Sequence, residues 1–288
     1  MSVNNDRYSD ILTSLCGYAR RDDDIRAVIA IGSSVRESTP ADEYSDLDLI
    51  VVTELPEKWY SGEYPALFGE VFISFIEPTL GGGMERRCIY SGGRDADMII
   101  LTPSQFGSAL DEGSAALVME RGYCLLCDKE GYSGKIPQYL SCEVRGDIMG
   151  EAEFANTAND FFFHNIWACK KLLRGELWSA KMCIDGYLKE RLLKMIAQYE
   201  LCVSAKDTWH DGRFLDSWAE GFITESLKDC FARYDARDCK RALAATHLLF
   251  TRLAVRAADS RGYSYPMAAQ KCAAEYLEEH GISLEGIK

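Results

Sequence analysis

No stretch of the chain approaches the ~20 consecutive apolar residues of a membrane span, so no membrane association is expected. Basic residues are scarce beside acidic ones, 32 Lys and Arg against 45 Asp and Glu, for a net charge of −13. A nucleic-acid binder ordinarily shows a basic surface, so no nucleic acid is expected as a partner. A cationic small molecule fits the charge better, because negative clefts concentrate positive ligands; plain solubility is the competing explanation. Nothing reads as a nucleophile elbow or a His/Cys dyad, which favours chemistry done by positioning over covalent catalysis. Cys124-Leu125-Leu126-Cys127 lacks a second Cys/His pair at zinc spacing and reads as core strand. Internal repeats and low-complexity segments are absent. The start, MSVNNDRYSD, is polar and lacks the apolar core of a signal peptide. The eleven cysteines are odd in number, and Cys169, Cys183 and Cys230 sit on helical apolar faces, so the expected setting is the cytoplasm with reduced thiols.

What is present is enough for two modest domains: 288 residues, 47% hydrophobic and 27% charged. The chain is organised around Val28 to Thr53. Val28-Ile29-Ala30-Ile31 reads as a strand leading into the turn Gly32-Ser33-Ser34, where backbone N–H groups face outward as phosphate-binding turns require. Twelve residues separate Ser33 from Asp46, which heads the run Asp46-Leu47-Asp48-Leu49-Ile50-Val51-Val52. On a strand, Asp46 and Asp48 share one face while Leu47, Leu49 and Val51 share the other. Two adjacent carboxylates in front of a buried strand need a counter-ion. Mg²⁺, held by one or two carboxylates and completed by water and substrate phosphates, suits this pair opposite a phosphate-cradling turn. A cap at Asp46 and a solvated edge at Asp48 would explain a lone Asp-x-Asp; the order strand, Gly-Ser turn, spacer and second strand favours the metal.

Along the chain, apolar spacing predicts a helix from Asn5 to Arg21, ended by Asp22-Asp23-Asp24, and a first strand from Arg26 to Ile31. A short helical or irregular stretch runs through Glu37 to Pro40, and the acidic loop 41–45 reads as a solvated approach to Asp46, not as further ligands. Leu55 to Pro65 is a connection with one helical turn. Val71 to Ile76 is a strand of fully apolar character, and Leu80-Gly81-Gly82-Gly83 is a flexible loop. Arg86 to Tyr90 and Ala96 to Leu101 flank Ser91-Gly92-Gly93-Arg94 as a hairpin. Asp97 opens the second strand of that hairpin, with Asp95 at the same parity. Helices are predicted over 103–110 and 114–121, and a last strand over 123–127. Asp128 to Ser141 lacks periodicity and carries the domain boundary. Beyond it the spacing predicts only helices, over 148–173, 177–199, 214–218, 223–234, 237–261 and 267–279, and hence an all-α bundle. Phe161-Phe162-Phe163 reads as core and His164 as a structural histidine. The expected domains are 1–135 and 136–288, an α+β protein.

The Gly-Ser turn followed by Asp-x-Asp on the next strand resembles the nucleotidyltransferase superfamily that includes DNA polymerase beta. From Tyr8-Ser9-Asp10-Ile11-Leu12 through Asp97-Met98-Ile99-Ile100-Leu101-Thr102-Pro103 to Tyr263-Ser264-Tyr265-Pro266, the chain is similar to the aminoglycoside 6-adenylyltransferase (streptomycin adenylyltransferase) family. Glu190-Arg191-Leu192-Leu193-Lys194-Met195-Ile196 and His247-Leu248-Leu249-Phe250 fit the same family. The resemblance implies a polymerase-beta-like domain, a mixed sheet with flanking helices, followed by the helical bundle. It implies transfer of AMP from ATP, with two Mg²⁺ ions, to a hydroxyl of a cationic aminoglycoside, the 6-position of streptomycin, by a monomer or homodimer. Asp97 then completes the metal triad with Asp46 and Asp48 and orients or deprotonates the hydroxyl. Gly32, Ser33 and Ser34 hold phosphates, and Lys170 meets the triphosphate. Glu153 and Asp160 are the carboxylates offered to a polyamine substrate, and either Asp97 or a bundle carboxylate is the general base. The sequence departs from the family where Ser34 replaces an Arg, so that either Arg36 takes over its contact or the phosphate grip differs, where Ile31 replaces an acidic residue, and where Phe162-Phe163 replaces an aromatic-Asn pair. The alternatives are another acceptor, such as a lincosamide, a small alcohol or a protein hydroxyl, and a non-catalytic nucleotide-binding module.

Overall fold

The computed structural model describes residues 6–36, 39–79, 82–140, 148–208 and 212–285. The expected helix start at Asn5, the stretch end at Glu37, the loop residues Leu80 and Gly81, and the boundary end at Ser141 lie outside them. The chain forms two compact units, Met1–Val144 and Arg145–Lys288. Among the described residues no helix is long and apolar enough to cross a membrane.

The first unit runs α1 (Ser9–Arg21), β1 (Ile25–Ile31), β2 (Leu47–Thr53), α2 (Glu57–Tyr60), β3 (Val71–Pro78), β4 (Met84–Tyr90), β5 (Arg94–Leu101), α3 (Pro103–Asp111), α4 (Ser114–Met119), β6 (Cys124–Asp128) and α5 (Tyr132–Lys135). The strands form one sheet in the order β3-β4-β5-β2-β1-β6. β2 and β5 pair in parallel, and the other neighbours are antiparallel. The β-branched runs of β1 and β2 make the centre of this sheet because both of their faces are covered. Leu47, Leu49 and Val51 point with Met98 and Ile100 to the side packed by α1 residues Ile11 and Leu15. Ile50 and Val52 point with Ile29 and Leu101 to the opposite side, against Phe106 of α3 and Met119 of α4. Helix α3 begins where Thr102 and Gln105 close a capping box, with Pro103 in its first turn.

In the first unit three elements differ from expectation. β3 is apolar, but it lies at the sheet edge, and Phe72, Ile73 and Phe75 are exposed. The Cys124-x-x-Cys127 segment is a strand, but it is the opposite edge, with Cys124 half-buried. Residues 132–139, read as aperiodic, form α5 and a 3₁₀ turn, whose Tyr132 and Ile136 are buried against Phe106. The expected boundary after residue 135 falls inside that helical segment, whereas the two units divide at 144/145. A single apolar pair four residues apart is too little to carry a periodic signal.

The second unit runs α6 (Glu151–Leu173), α7 (Leu177–Met182), α8 (Leu188–Val203), α9 (Leu215–Trp218), α10 (Gly221–Cys230), α11 (Ala236–Arg261) and α12 (Met267–Glu279). A π-helical turn over Cys183–Tyr187 joins α7 to α8, where one unbroken helix was expected. Alanines 242, 244, 254, 257 and 258 of α11 are buried and let neighbouring helices approach closely. Phe161 of α6 stacks on Phe250 of α11 with centroids 3.6 Å apart. Phe163 departs from the core reading and is exposed.

His247 of α11 is 1% exposed, with Nδ1 3.2 Å from Asn165 Oδ1. Burial lowers its pKa to about 4. The unfolded chain, with an ordinary histidine near 6.5, therefore binds more protons than the folded one between pH 6.5 and 4. Stability is full above that window and falls as pH drops through it, by at most about 1.4 kcal/mol per pH unit. Urea unfolding at pH 7.0 and 5.0 checks this: His247→Gln is expected to flatten the dependence, and an unchanged slope in the variant would place the acid sensitivity elsewhere.

Candidate active site

Gly32 follows β1 with a φ of +71°, a conformation that glycine takes without the steric cost other residues bear. A Cβ built there would lie 2.0 Å from Asp48 Oδ2, so the Asp48 carboxylate packs directly over the turn. Ser33 and Ser34 follow in a single 3₁₀ turn and are both buried. Ser34 Oγ donates to the Ile31 carbonyl at 3.1 Å. Ser33 Oγ is buried with no hydrogen-bond partner among the described residues, which is costly unless a ligand supplies one. Arg36 is half-buried just beyond the turn.

Parallel register places Asp48 of β2 directly beside Asp97 of β5, with side chains on one face. Asp46, two residues earlier, points the same way. The carboxylates of Asp46, Asp48 and Asp97 offer oxygens all within 4.8 Å of one another, and each residue is half-buried. Burial pushes the Asp97 carboxyl up, Arg87 opposes that, and Glu85, Asp46 and Asp95 add to it, leaving its pKa at about 6. Three hard oxygen donors in this spacing fit Mg²⁺ far better than a metal that prefers nitrogen or sulfur. The unsatisfied Ser33 hydroxyl, one residue after the Gly32 that packs against Asp48, fits a phosphate oxygen. Asp95, the parity rival of Asp97, has another role: with Ser45 O it accepts from Tyr8, at 3.4 and 3.1 Å.

Four residues the sequence reading did not assign to the site belong to its surroundings. Tyr8, read there as a helix-face residue, is fully buried, and its hydroxyl fixes the loop that delivers Asp46. Burial, then Asp95, pushes that hydroxyl's pKa up to about 12, so it stays a donor. Asp42 completes the loop by accepting from Tyr44 N at 2.9 Å and Ser45 Oγ at 3.0 Å. Glu85 and Arg87 of β4 lie on the triad's face, Arg87 opposite Asp97. The signal for them was present: a hairpin closed by Tyr90 and Arg94 puts Arg87 across from Asp97 by counting.

The remaining candidates stand on α6 of the second unit. Lys170 is exposed, its amine 5.5 Å from the Tyr276 ring centroid. Glu153 is exposed. Asp160 lines a cavity of about 440 Å³ with Asn156, Asn159, Phe162, Phe163 and Ile166. Its carboxylate accepts from Arg191 Nε at 2.6 Å and from the Tyr187 hydroxyl at 2.9 Å, and lies 2.8 Å from His164 Nδ1. Burial raises its pKa, but the Arg191 and Tyr187 bonds outweigh that and hold it below the ordinary range. Asp160 is therefore ionised and already matched by a cation. In the first unit a cavity of about 530 Å³ is lined by Met119, Gly122, Tyr123 and Leu140 among others, and includes none of the triad.

A Gly-Ser turn at the end of β1, set against three convergent carboxylates at the head of β2 and on β5, is the arrangement nucleotidyl transfer calls for. The sequence model of the streptomycin adenylyltransferase family matches residues 6–280, and the chain belongs to that family. Among solved structures, the chain is similar to the aminoglycoside 6-adenyltransferase from Bacillus subtilis, with 15% identity, a TM-score of 0.46 and coverage of 97% of this chain and 100% of that one. It is also similar to a nucleotidyltransferase-like protein from Exiguobacterium sibiricum, with 9% identity, a TM-score of 0.35 and coverage of 95% and 91%. No curated protein matches the chain by sequence.

Proposed function

We propose that this nucleotidyltransferase moves AMP from ATP to a hydroxyl of a cationic aminoglycoside, with the 6-hydroxyl of streptomycin as the first candidate. The observation that carries the reading is the triad Asp46, Asp48 and Asp97 gathered beside Gly32 and the orphaned Ser33 hydroxyl; membership of the streptomycin adenylyltransferase family supports the acceptor. Asp46, Asp48 and Asp97 would hold Mg²⁺, which when bound neutralises charge on the transferring phosphate and the departing pyrophosphate. The backbone N–H groups of the turn and the Ser33 hydroxyl hold the β- and γ-phosphates, fixing the α-phosphorus in front of the carboxylates. Asp97 orients the acceptor hydroxyl and takes its proton. The hydroxyl oxygen bonds to the α-phosphorus, the α–β bridging bond breaks, and pyrophosphate leaves with that bond's electron pair. The acceptor's cationic groups call for carboxylates, and Glu153 suits this better than Asp160, whose charge Arg191 already matches.

Mass spectrometry of streptomycin incubated with the protein, ATP and Mg²⁺ checks the reading. The expected product carries one added AMP, with NMR placing it on the 6-oxygen. Unmodified streptomycin beside an adenylylated member of an aminoglycoside panel would move the assignment to that acceptor.

A further inference from the structure

Outside the triad, one cation faces an unusual excess of negative charge. Across the sheet a row of residues runs Asp48, Asp97, Arg87 and Phe75, each opposite the next in register. The neighbouring row on the same face runs Ile50, Ile99, Glu85 and Glu77. The Arg87 guanidinium spans both rows. Its Nη1 lies 3.3 Å from Asp97, its Nη2 3.2 Å from Glu85 and its Nε 2.8 Å from Glu77. Each nitrogen lies within ion-pair distance of a different carboxylate, the Nη2 contact with Glu85 being a hydrogen bond, and of these carboxylates Asp97 alone belongs to the triad. The side chains of Asp97 and Glu85 are only 13% and 14% exposed, so these two carboxylates are poorly screened, whereas Arg87 at 41% and Glu77 at 44% reach solvent.

From this geometry we infer that Arg87 is a positioning residue, a built-in counter-cation that holds the Asp97 carboxylate in place and gives way to the incoming metal. The inference rests on the triad being the metal site. Three carboxylates with oxygens inside 4.8 Å repel one another. A guanidinium 3.3 Å from the outermost of them offsets that repulsion and favours the carboxylate position that faces it. A divalent cation at the same carboxylate repels the guanidinium in turn. Glu77 and Glu85 give Arg87 a second position, one it can keep without leaving a buried charge unpaired. Metal binding therefore works against Arg87, and the residue tunes affinity downward while presetting geometry.

The test reads Mn²⁺ binding without nucleotide, by the electron paramagnetic resonance signal of the free ion. Arg87→Met removes the competing charge and leaves Glu77 and Glu85 negative, so it is expected to bind Mn²⁺ about tenfold more tightly. Arg87→Lys keeps the charge and should stay near the wild-type value. Affinity equal to or below wild type in a natively melting Arg87→Met would overturn the inference. Should Arg87→Met fail to fold, Glu77→Gln decides: it weakens the alternative position, so binding should loosen several-fold, and unchanged binding contradicts the idea. Asp46→Asn separates this from the site reading, since wild-type Mn²⁺ binding that survives that substitution would remove the metal site and Arg87's role together.

Discussion

Asp46→Asn is expected to lower Mg²⁺-dependent pyrophosphate release by about 10³-fold or more, while the protein melts at or slightly above the wild-type temperature. The rate falls because a ligand and a negative charge are lost where the transferring phosphate must be neutralised, and a loss of 10³ corresponds to about 4 kcal/mol of transition-state stabilisation. The fold survives because Asp46 is half-buried and precedes the first residue of β2, so no ladder position changes. Removing one of three mutually close carboxylates also relieves repulsion in the metal-free protein. Stopped-time pyrophosphate assays with thermal melts on the same preparations check both halves. Near-normal turnover in a folded Asp46→Asn protein would remove the metal assignment.

Gly32→Ala should be nearly as damaging by a different route. The new Cβ would fall 2.0 Å from Asp48 Oδ2 and 2.8 Å from its Cγ, so the Asp48 carboxylate must rotate away or the turn must shift. The backbone adds its own cost, since alanine at a φ of +71° is strained by about 1 kcal/mol or somewhat more. Turnover is expected to drop by at least about a hundredfold, because a displacement of about 1 Å at a reacting constellation costs that much. Gly262→Ala is the matching control. Gly262 caps α11 in the second unit at a φ of +69°, with nothing within 4 Å of a built Cβ. It carries the backbone strain without the collision, so its loss should be confined to stability. Equal activities in the two variants would mean that the contact between Gly32 and Asp48 is unimportant to the chemistry.

Local chemistry made much of this molecule legible in its sequence. The strand at 25–31, the Gly-Ser turn and the strand at 47–53 follow from runs of β-branched residues broken by a glycine that must take positive φ. The hairpin around Gly92-Gly93 follows from its turn residues, and parity alone puts Asp46 and Asp48 on one face. What resisted reading was set by position in the whole sheet. The apolar run Val71–Ile76 looks the same at an edge as in the interior, and its exposure depends on β3 having a single neighbour. Asp95 and Asp97 have the same parity, and it takes Tyr8, an α1-flanking residue 87 positions from Asp95, to engage the first and leave the second to the triad. Asp160 looked like a charge offered to a ligand because its cation, Arg191, lies 31 residues away on another helix. The π-helical turn at Cys183–Tyr187 inserts a residue without breaking the apolar spacing on either side, so no periodicity reveals it.

Pyrophosphate release from ATP and Mg²⁺, measured with streptomycin, with a panel of other aminoglycosides and with no acceptor, tests the proposed reaction most directly. The expected result is release that requires both Mg²⁺ and streptomycin and that vanishes in Asp46→Asn. Silence across the whole panel, in a protein that still binds ATP in the presence of Mg²⁺, would contradict aminoglycoside adenylylation.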